Sequence, residues 1–180
     1  MMFINIITAC SRPNNLEVIS KSINIPSENY RWIIVYDGEE KPSDLIVPEN
    51  CEFYTHKDIK SRVGNSQKNF ALDIIDSGYV YFNDDDTLIH PELWDSIKDM
   101  NNDFISFKQN DNRGRLRLHG EVGYQKIDSH NFILTRELIG DSRWILDKYE
   151  ADGLFAIECY NKSKSFIKVD KVLSIYNQLR

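Results

Sequence analysis

The sequence contains few cysteines, no long apolar run and no cluster of basic residues. Its 180 residues include three cysteines without a Cys-x-x-Cys spacing, which argues against a disulfide framework and against a structural zinc site. No apolar run approaches the roughly 18 residues that a membrane span requires, and the N-terminus lacks the basic lead and the cleavage site of a secretory signal. We therefore expect a cytoplasmic protein without a transmembrane segment.

The charge balance is acidic, which excludes one class of partner. Lys and Arg number 22 against 28 Asp and Glu, and no basic run is present that would release counterions from a phosphate backbone. We therefore expect no nucleic-acid partner. Hydrophobic residues make up 41% of the chain, which is enough for a core and excludes a disordered tail. The length predicts a single domain over residues 1–180.

Strand-like and helix-like segments alternate through residues 1–100. Helical spacings of apolar residues separate the strands, and we predict that Asn65 or Ser66 caps the helix before the fourth strand and that Gly78 ends it. This alternation predicts an α/β fold with a mostly parallel central sheet flanked by helices. The apolar runs typical of strands cover residues 3–8, 32–36, 51–55 and 79–82.

Residues 101–180 follow a less regular pattern. Short alternating segments there are typical of exposed strands. We predict a helix around residues 152–160 and a pair of strands over residues 165–176. The chain thus divides into a larger parallel half and a smaller mixed β/α half.

Three consecutive aspartates, Asp84, Asp85 and Asp86, follow the fourth strand. In an extended chain the first and third would point to one side and the second to the other. Paired carboxylates at the carboxyl end of a strand suit a divalent ion that bridges protein to phosphates, although an acidic turn is the alternative. An EF-hand loop is excluded because its sixth and twelfth positions would be Ile89 and Asp95.

Further charged side chains follow neighbouring strands. Asp37 comes directly after the second strand, where a carboxylate binds a ribose hydroxyl or a base edge, although Asp-Gly also forms simple turns. Arg12 and Arg62 would approach the same crevice and could pair with a diphosphate, the alternative for each being a surface ion pair. The pattern therefore predicts a site for a phosphate-bearing ligand and a metal at this edge of the sheet.

These motifs together resemble the nucleotide-sugar half of a GT-A glycosyltransferase. The resemblance is closest to the inverting family 2 enzymes, and residues 62–93 are also similar to the donor segment of the β-1,3-glucuronyltransferases. It extends over roughly residues 3–95, in the order that the family requires. The segments that carry it are residues 8–16, 35–38, 62–72 and 81–86.

The resemblance implies a metal-dependent, inverting transfer of a sugar from a nucleotide diphosphate sugar, with UDP-sugar as the expected donor. A glycan or another hydroxyl compound would be the acceptor. It implies that Asp37 binds the base or ribose, that Asp84 contacts the ribose with Asp85 as a second contact, and that Asp86 of this DxD motif holds Mn²⁺ or Mg²⁺. Residues 1–100 would form the donor half and residues 101–180 the acceptor half. The implied donor-binding set is completed by Thr8, Arg12 and Arg62.

The acceptor half offers candidates for a general base and a further metal ligand. Asp152 lies in a segment that resembles the place where family 2 enzymes carry the base, although an Asp there can simply cap a helix. Glu150 and Asp128 are the alternatives. GT-A enzymes often add a histidine to the metal shell, which makes His130, beside Asp128, the expected ligand and His119 the alternative.

Aromatic residues and oligomeric state complete these expectations. Trp144 is a candidate platform for stacking against a sugar, whereas the helical spacing of Trp94 places it in the core. We also expect a homodimer. Two competing hypotheses stay open: a non-catalytic sugar or nucleotide-sugar binding module on the same scaffold, and a metal-dependent phosphatase or nucleotidyltransferase.

Overall fold

A computed structural model describes residues 2–58 and 63–180, and its strands join into one sheet. Both ends of the described chain contribute strands to that sheet. The strands are β1 Ile4–Cys10, β2 Tyr30–Tyr36, β3 Cys51–Thr55, β4 Tyr79–Phe82, β5 Leu88–Ile89, β6 Phe104–Asp111, β7 Leu116–Leu118, β8 Phe132–Thr135 and β9 Phe166–Tyr176. The α-helices are α1 Leu16–Ser22, α2 Asn65–Asp73, α3 Leu93–Ile97, α4 Arg136–Ile139 and α5 Ala151–Lys162.

The sheet runs in the order β3-β2-β1-β4-β8-β6-β9-β5, with β7 paired to β6. Strands β1 to β4 are parallel, with Ile7 of β1 opposite both Ile33 of β2 and Phe82 of β4. Strand β8 is antiparallel to β4 and to β6, and β9 is parallel to β6. Because β1, β2 and β4 share one direction, the loops that follow them meet at one edge, which is where open α/β sheets bind their ligands.

Apolar side chains cover both faces of this sheet, as parallel strands require. On one face, α1 contacts β5 and α3 contacts β9, and their buried residues Leu16 and Leu93 belong to the apolar cluster that includes β1 and β2. On the other, α2 packs against β1 and β2, and Phe155 of α5 packs against Phe82 of β4 and Phe132 of β8. Each fully buried side chain of this size contributes about 1.5–3 kcal/mol. The predicted α/β architecture, with a mostly parallel central sheet and flanking helices, is confirmed.

Predictions about both ends of α2 and about the last strand are wrong. Helix α2 ends at Asp73, where Ile74 leaves the helical conformation (φ −105°, ψ 5°), so Gly78 lies beyond the helix instead of ending it. Gly64, rather than Asn65 or Ser66, caps α2, because the chain enters the helix in a left-handed conformation (φ 77°). A Cβ at this position would lie 2.5 Å from the Cβ of Ala9. Residues 165–176 do not form two strands but the single strand β9, because Asp170 and its neighbour bulge out of the ladder opposite β6 instead of turning back.

The prediction that Trp144 stacks on a sugar is also wrong. Its indole is 2% exposed, and its ring stacks on Phe155 of α5 at 4.4 Å between centroids and meets the edge of Phe82 at 5.0 Å. The residue therefore belongs to the core and offers no free face to a sugar. Within residues 2–58 and 63–180, no helix combines the length and the apolar character needed to cross a lipid bilayer.

Candidate active site

A cavity of about 580 Å³ opens at the carboxyl edge of the parallel strands. The loops after β1, β2 and β4 form one side of it, and the start of α5 and the residues after β9 form the other. Among the described residues, seven carboxylates line it against four cationic side chains, so the cavity carries a negative balance. The carboxylates are Asp37, Asp84, Asp85, Asp86, Asp128, Glu150 and Asp152, and the cations are Arg12, Lys68, Arg117 and Arg180.

Most of the residues expected at the site meet in this cavity, but Thr8, His119 and His130 do not line it. Thr8 is fully buried, and its hydroxyl accepts a hydrogen bond from Trp32 Nε1 at 3.0 Å, so it faces the core. His119 is exposed and lies apart from the cavity lining. Arg62 lies outside the described residues. His130 is fully buried and reaches the cavity only through the lining residue Asp84.

The three aspartates after β4 point in different directions. The chain turns there, with the N–H of Thr87 donating to the carbonyl of Asp84 at 3.1 Å, so the expected extended alternation is wrong. Asp85 accepts hydrogen bonds from the N–H groups of Ser11 and Arg12, at 2.6 and 2.7 Å, and a further bond from the Arg12 guanidinium. It thereby anchors the loop after β1. This use of the carboxylate depends on a contact between distant segments that the sequence does not reveal.

Asp86 is held between two arginines. Its Oδ2 lies 3.0 Å from Arg12 Nη1 and 3.0 Å from Arg180 Nε. Burial and the neighbouring charge of Asp84 nevertheless raise the pKa of Asp86 above its ordinary value. The residue expected to hold a metal is therefore paired with guanidinium groups and lies outside the histidine cluster described next.

The pairing of β4 with β8 brings Asp84 to His130. The two strands are antiparallel, so the turn that follows β4 and the 3-10 helix Ser129–Asn131 that precedes β8 lie at the same edge of the sheet. His130 Nε2 lies 3.6 Å from Asp84 Oδ2 and has no hydrogen-bond partner among the described residues, whereas Nδ1 lies 3.5 Å from Asp128 Oδ1. Burial lowers the pKa of His130, which favours the neutral imidazole.

These three side chains have the chemistry of a metal site. Two ligand atoms that each lie about 2.1 Å from one ion are about 3–3.4 Å apart. The 3.6 Å between Asp84 Oδ2 and His130 Nε2 is close to this separation. Asp128 stands behind the imidazole, as carboxylates do in histidine–metal sites, and is itself held by Arg117 Nη1 at 2.6 Å. The unsatisfied Nε2 atom faces Asp84, so the donor set fits a divalent ion.

Asp152 occupies the first turn of α5 and is partly accessible from the cavity. Its Oδ1 lies 3.6 Å from Lys68 Nζ, and its Oδ2 accepts a hydrogen bond from the N–H of Ser129 at 3.4 Å. Burial raises the pKa of Asp152 to about 7, the charge of Lys68 opposes this, and Asp128 adds to it. A carboxylate with such a pKa suits general-base chemistry near neutral pH. The alternative base Glu150 also lines the cavity but is exposed.

Lys68 is the member of this site that sequence reasoning missed. It is 2% exposed and lies between Asp84 and Asp152, with Nζ 3.6 Å from an oxygen of each. Burial alone would raise the pKa of Asp84, but Lys68 and His130 together lower it below its ordinary value. A lysine in a helix is usually solvated, so its sequence context does not indicate a buried role. Its position in the helix that precedes the three aspartates was the one available sign that it belongs to the site.

Asp37 lies at the rim where β2 ends. Its N–H donates to the carbonyl of Cys10 at 2.8 Å, and its Oδ1 accepts a hydrogen bond from Gln67 Nε2 of α2 at 3.1 Å. Asp37 and Gln67 both line the cavity. The carboxylate is therefore held at the cavity that the acidic turn also lines, and its contact with a ribose or base stays a prediction.

Solved structures place this fold in a known class. No protein-family model and no curated protein sequence matches the chain. The structural matches, by contrast, identify the fold as that of the GT-A glycosyltransferases, as the motif order indicated. With sequence identities of 13–16%, the similarity establishes the fold.

Two proteins illustrate this similarity. S. aureus TarS 1–349 in complex with UDP has a TM-score of 0.74 and 16% identity over 97% of this chain and 60% of that chain. Its complex with UDP-GlcNAc gives a TM-score of 0.71 at 16% identity over 97% and 58%. The mannosyltransferase PcManGT from Pyrobaculum calidifontis, in complex with GDP-Man and Mn²⁺, gives 0.69 at 13% identity over 97% and 56%. The chain thus spans about 60% of the length of TarS 1–349.

Proposed function

We propose that this protein transfers a sugar from a nucleoside diphosphate sugar to a hydroxyl acceptor, with a divalent ion and with inversion at the anomeric carbon. The observation that carries the proposal is the meeting, in one cavity of a GT-A fold, of the acidic turn after β4 with the half-buried carboxylate of Asp152. Residues 1–100 would bind the donor and residues 101–180 the acceptor.

The donor would lie along the edge formed by the loops after β1, β2 and β4. Asp37 would bind the base or ribose, Asp84 would contact the ribose, and Arg12 would face the diphosphate, together with Arg62 of the undescribed segment. Asp85 would act mainly by holding Arg12. The complexes of TarS with UDP and UDP-GlcNAc and of PcManGT with GDP-Man support a nucleotide-sugar donor, and we propose a UDP-sugar.

A divalent ion, Mn²⁺ or Mg²⁺, would be held by Asp84 and His130, with Asp128 supporting the imidazole. The charge of the cavity supports this assignment, because a diphosphate entering a site with more carboxylates than cations needs an additional positive charge. When bound, such an ion neutralises the charge that develops on the departing nucleoside diphosphate. The Mn²⁺ in the PcManGT complex is consistent with it, and Asp86 is the alternative ligand.

Asp152 would act as the general base. The acceptor oxygen would form a bond to the anomeric carbon while the bond from that carbon to the diphosphate oxygen breaks, and the acceptor proton would pass to Asp152. Attack from the face opposite the leaving group gives inversion. The raised pKa of Asp152 supports this role, because a carboxylate of that basicity accepts a proton near neutral pH.

We further propose that the protein acts in the cytoplasm, where nucleotide sugars are made, on a glycan or another hydroxyl acceptor. The expected homodimer stays a prediction. Light scattering of the purified chain would decide that point.

A paired binding and turnover experiment tests the proposal. Nucleoside diphosphates and nucleotide sugars are titrated with and without Mn²⁺ while thermal unfolding is followed; a ligand at about 100 times its Kd adds roughly 2.7 kcal/mol of stability. Sugar transfer to water or to an acceptor panel is then compared between the parent protein, Asp152→Asn and the exposed neighbour variant Glu150→Gln.

The proposal predicts a metal-dependent shift with one nucleotide, turnover in the parent protein and in Glu150→Gln, and loss of turnover with intact donor binding in Asp152→Asn. Binding without turnover in any variant would instead favour a nucleotide-sugar binding module. Release of inorganic phosphate from simple phosphoesters would favour a phosphatase.

A further inference from the structure

A buried lysine joins the two sides of the cavity. Lys68 Nζ lies 3.6 Å from Asp84 Oδ1 on the donor side and 3.6 Å from Asp152 Oδ1 on the acceptor side. The ring of Trp144 packs against the same ammonium group, with its centroid 4.4 Å from Nζ. A buried ammonium group is tolerated only when it is paired, and here two carboxylates and an aromatic face supply the pairing.

The surroundings of Lys68 hold it in place from both sides of the cavity. Asn65 donates through Nδ2 to the carbonyl of Ile145 at 2.8 Å, and Asn69 both donates to the carbonyl and accepts from the N–H of Trp144, at 2.9 and 2.8 Å. Trp144 in turn stacks on Phe155 of α5, the helix that carries the proposed base. The loop that carries Trp144 and Ile145 therefore packs against both α2 and α5, and the three segments together surround the ammonium group.

The side chain of Lys68 is much less exposed than the side chains of its two partners. The lysine side chain is 3% exposed, whereas those of Asp84 and Asp152 are 32% and 24% exposed. The two carboxylates are therefore more accessible from the cavity than the ammonium group, although all three residues line it.

We propose that Lys68 is a positioning residue that fixes the proposed base Asp152 relative to the donor-side carboxylate Asp84. This inference rests on the proposed function. Loss of the ammonium group would let two neighbouring carboxylates repel each other, and a displacement of about 1 Å at a reacting group lowers a rate about 100-fold. We expect donor affinity to change less than the rate, because the Lys68 side chain lines the cavity but is only 3% exposed.

The test compares Lys68→Met, Lys68→Arg and the matched surface variant Lys98→Met, whose parent lysine pairs with Asp95 on α3. We expect Lys68→Met to lower kcat about 100-fold with donor Kd within about threefold, Lys68→Arg to recover part of the rate, and Lys98→Met to match the parent protein. A tenfold rise in donor Kd with unchanged kcat would overturn the proposal and make Lys68 a donor ligand. Unchanged kcat and Kd would overturn it as well.

A double-variant cycle provides a readout that does not depend on turnover. Thermal unfolding is measured for Lys68→Met, for Asp152→Asn and for the double variant. Coupled side chains give a combined loss in Tm smaller than the sum of the single losses, whereas additive losses would overturn the link. If Lys68→Met does not fold, Lys68→Arg replaces it in the comparison of kcat and Kd. Absence of transfer by the parent protein with every donor would defeat the proposed function, while the unfolding cycle would still decide whether Lys68 and Asp152 are linked.

Discussion

Replacing Asp85 by Ala should destabilise the protein, although the residue lies in a motif expected to bind donor. Its carboxylate accepts two backbone hydrogen bonds, from Ser11 and Arg12, together with bonds from the Ser11 hydroxyl and the Arg12 guanidinium. Hydrogen bonds to a charged group contribute about 1.5–3 kcal/mol each. Water replaces part of this loss because Ser11 is exposed and Arg12 is half-buried, so we expect about 2–4 kcal/mol in total.

For a chain of this length such a loss lowers Tm by roughly 4–16 °C, which denaturant and thermal unfolding both measure. Asp86→Asn is the matched control. Burial and Asp84 already oppose the charge of Asp86, so its neutralisation should change stability by less than about 1 kcal/mol. Equal losses for Asp85→Ala and Asp86→Asn would refute the assignment of Asp85 as the anchor of the loop after β1.

Three further outcomes are expected. Burial raises the pKa of Asp152 to about 7, and a general base must be deprotonated to act. The transfer rate at saturating donor should therefore rise as the pH increases through about 7. A rate that stays flat between about pH 6 and about pH 8 would contradict this. The Tm increase produced by Mn²⁺ alone should be lost in His130→Ala and retained in Asp86→Asn, and the reverse result would move the metal site to Asp86. Gly64→Ala should lower the free energy of unfolding by more than about 1 kcal/mol. Gly114→Ala is the control, because Gly114 also has a positive φ but has no atom within 4 Å of the added Cβ, and it should lower stability less. Equal unfolding midpoints for the two variants would show that crowding at Gly64 is unimportant.

The fold was predictable because its signals are local. Apolar runs that are hydrophobic on both faces identify parallel strands, and helical spacings between them identify the crossovers, so the sheet through β4 follows from short stretches of sequence. The bulge at Asp170 was not predictable in this way, since an exposed charged pair inside a strand-like segment is also typical of a turn.

Part of the cavity lining was predictable from the sequence, but its arrangement was not. Order along the chain indicated Asp84 and Asp152 as candidates, but the direction of each carboxylate depends on long-range contacts. Asp85 points to the loop after β1 because the N–H groups of Ser11 and Arg12 donate to it there. Lys68 was not among the candidates and Trp144 was expected to stack on a sugar, because a helical lysine is usually solvated and a loop tryptophan is often exposed. Tertiary packing buries both side chains.

Asp84 and His130 lie just outside the antiparallel ladder between β4 and β8, Asp84 in the turn that follows β4 and His130 in the short 3-10 helix that precedes β8. The ladder changes register only in whole steps, and a slip of two residues would move one strand end by about 7 Å. The ladder therefore brings the two segments together, while the turn and the 3-10 helix set the final distance between the two side chains. A substitution in either segment can change that distance gradually, whereas a register slip would separate the pair at once.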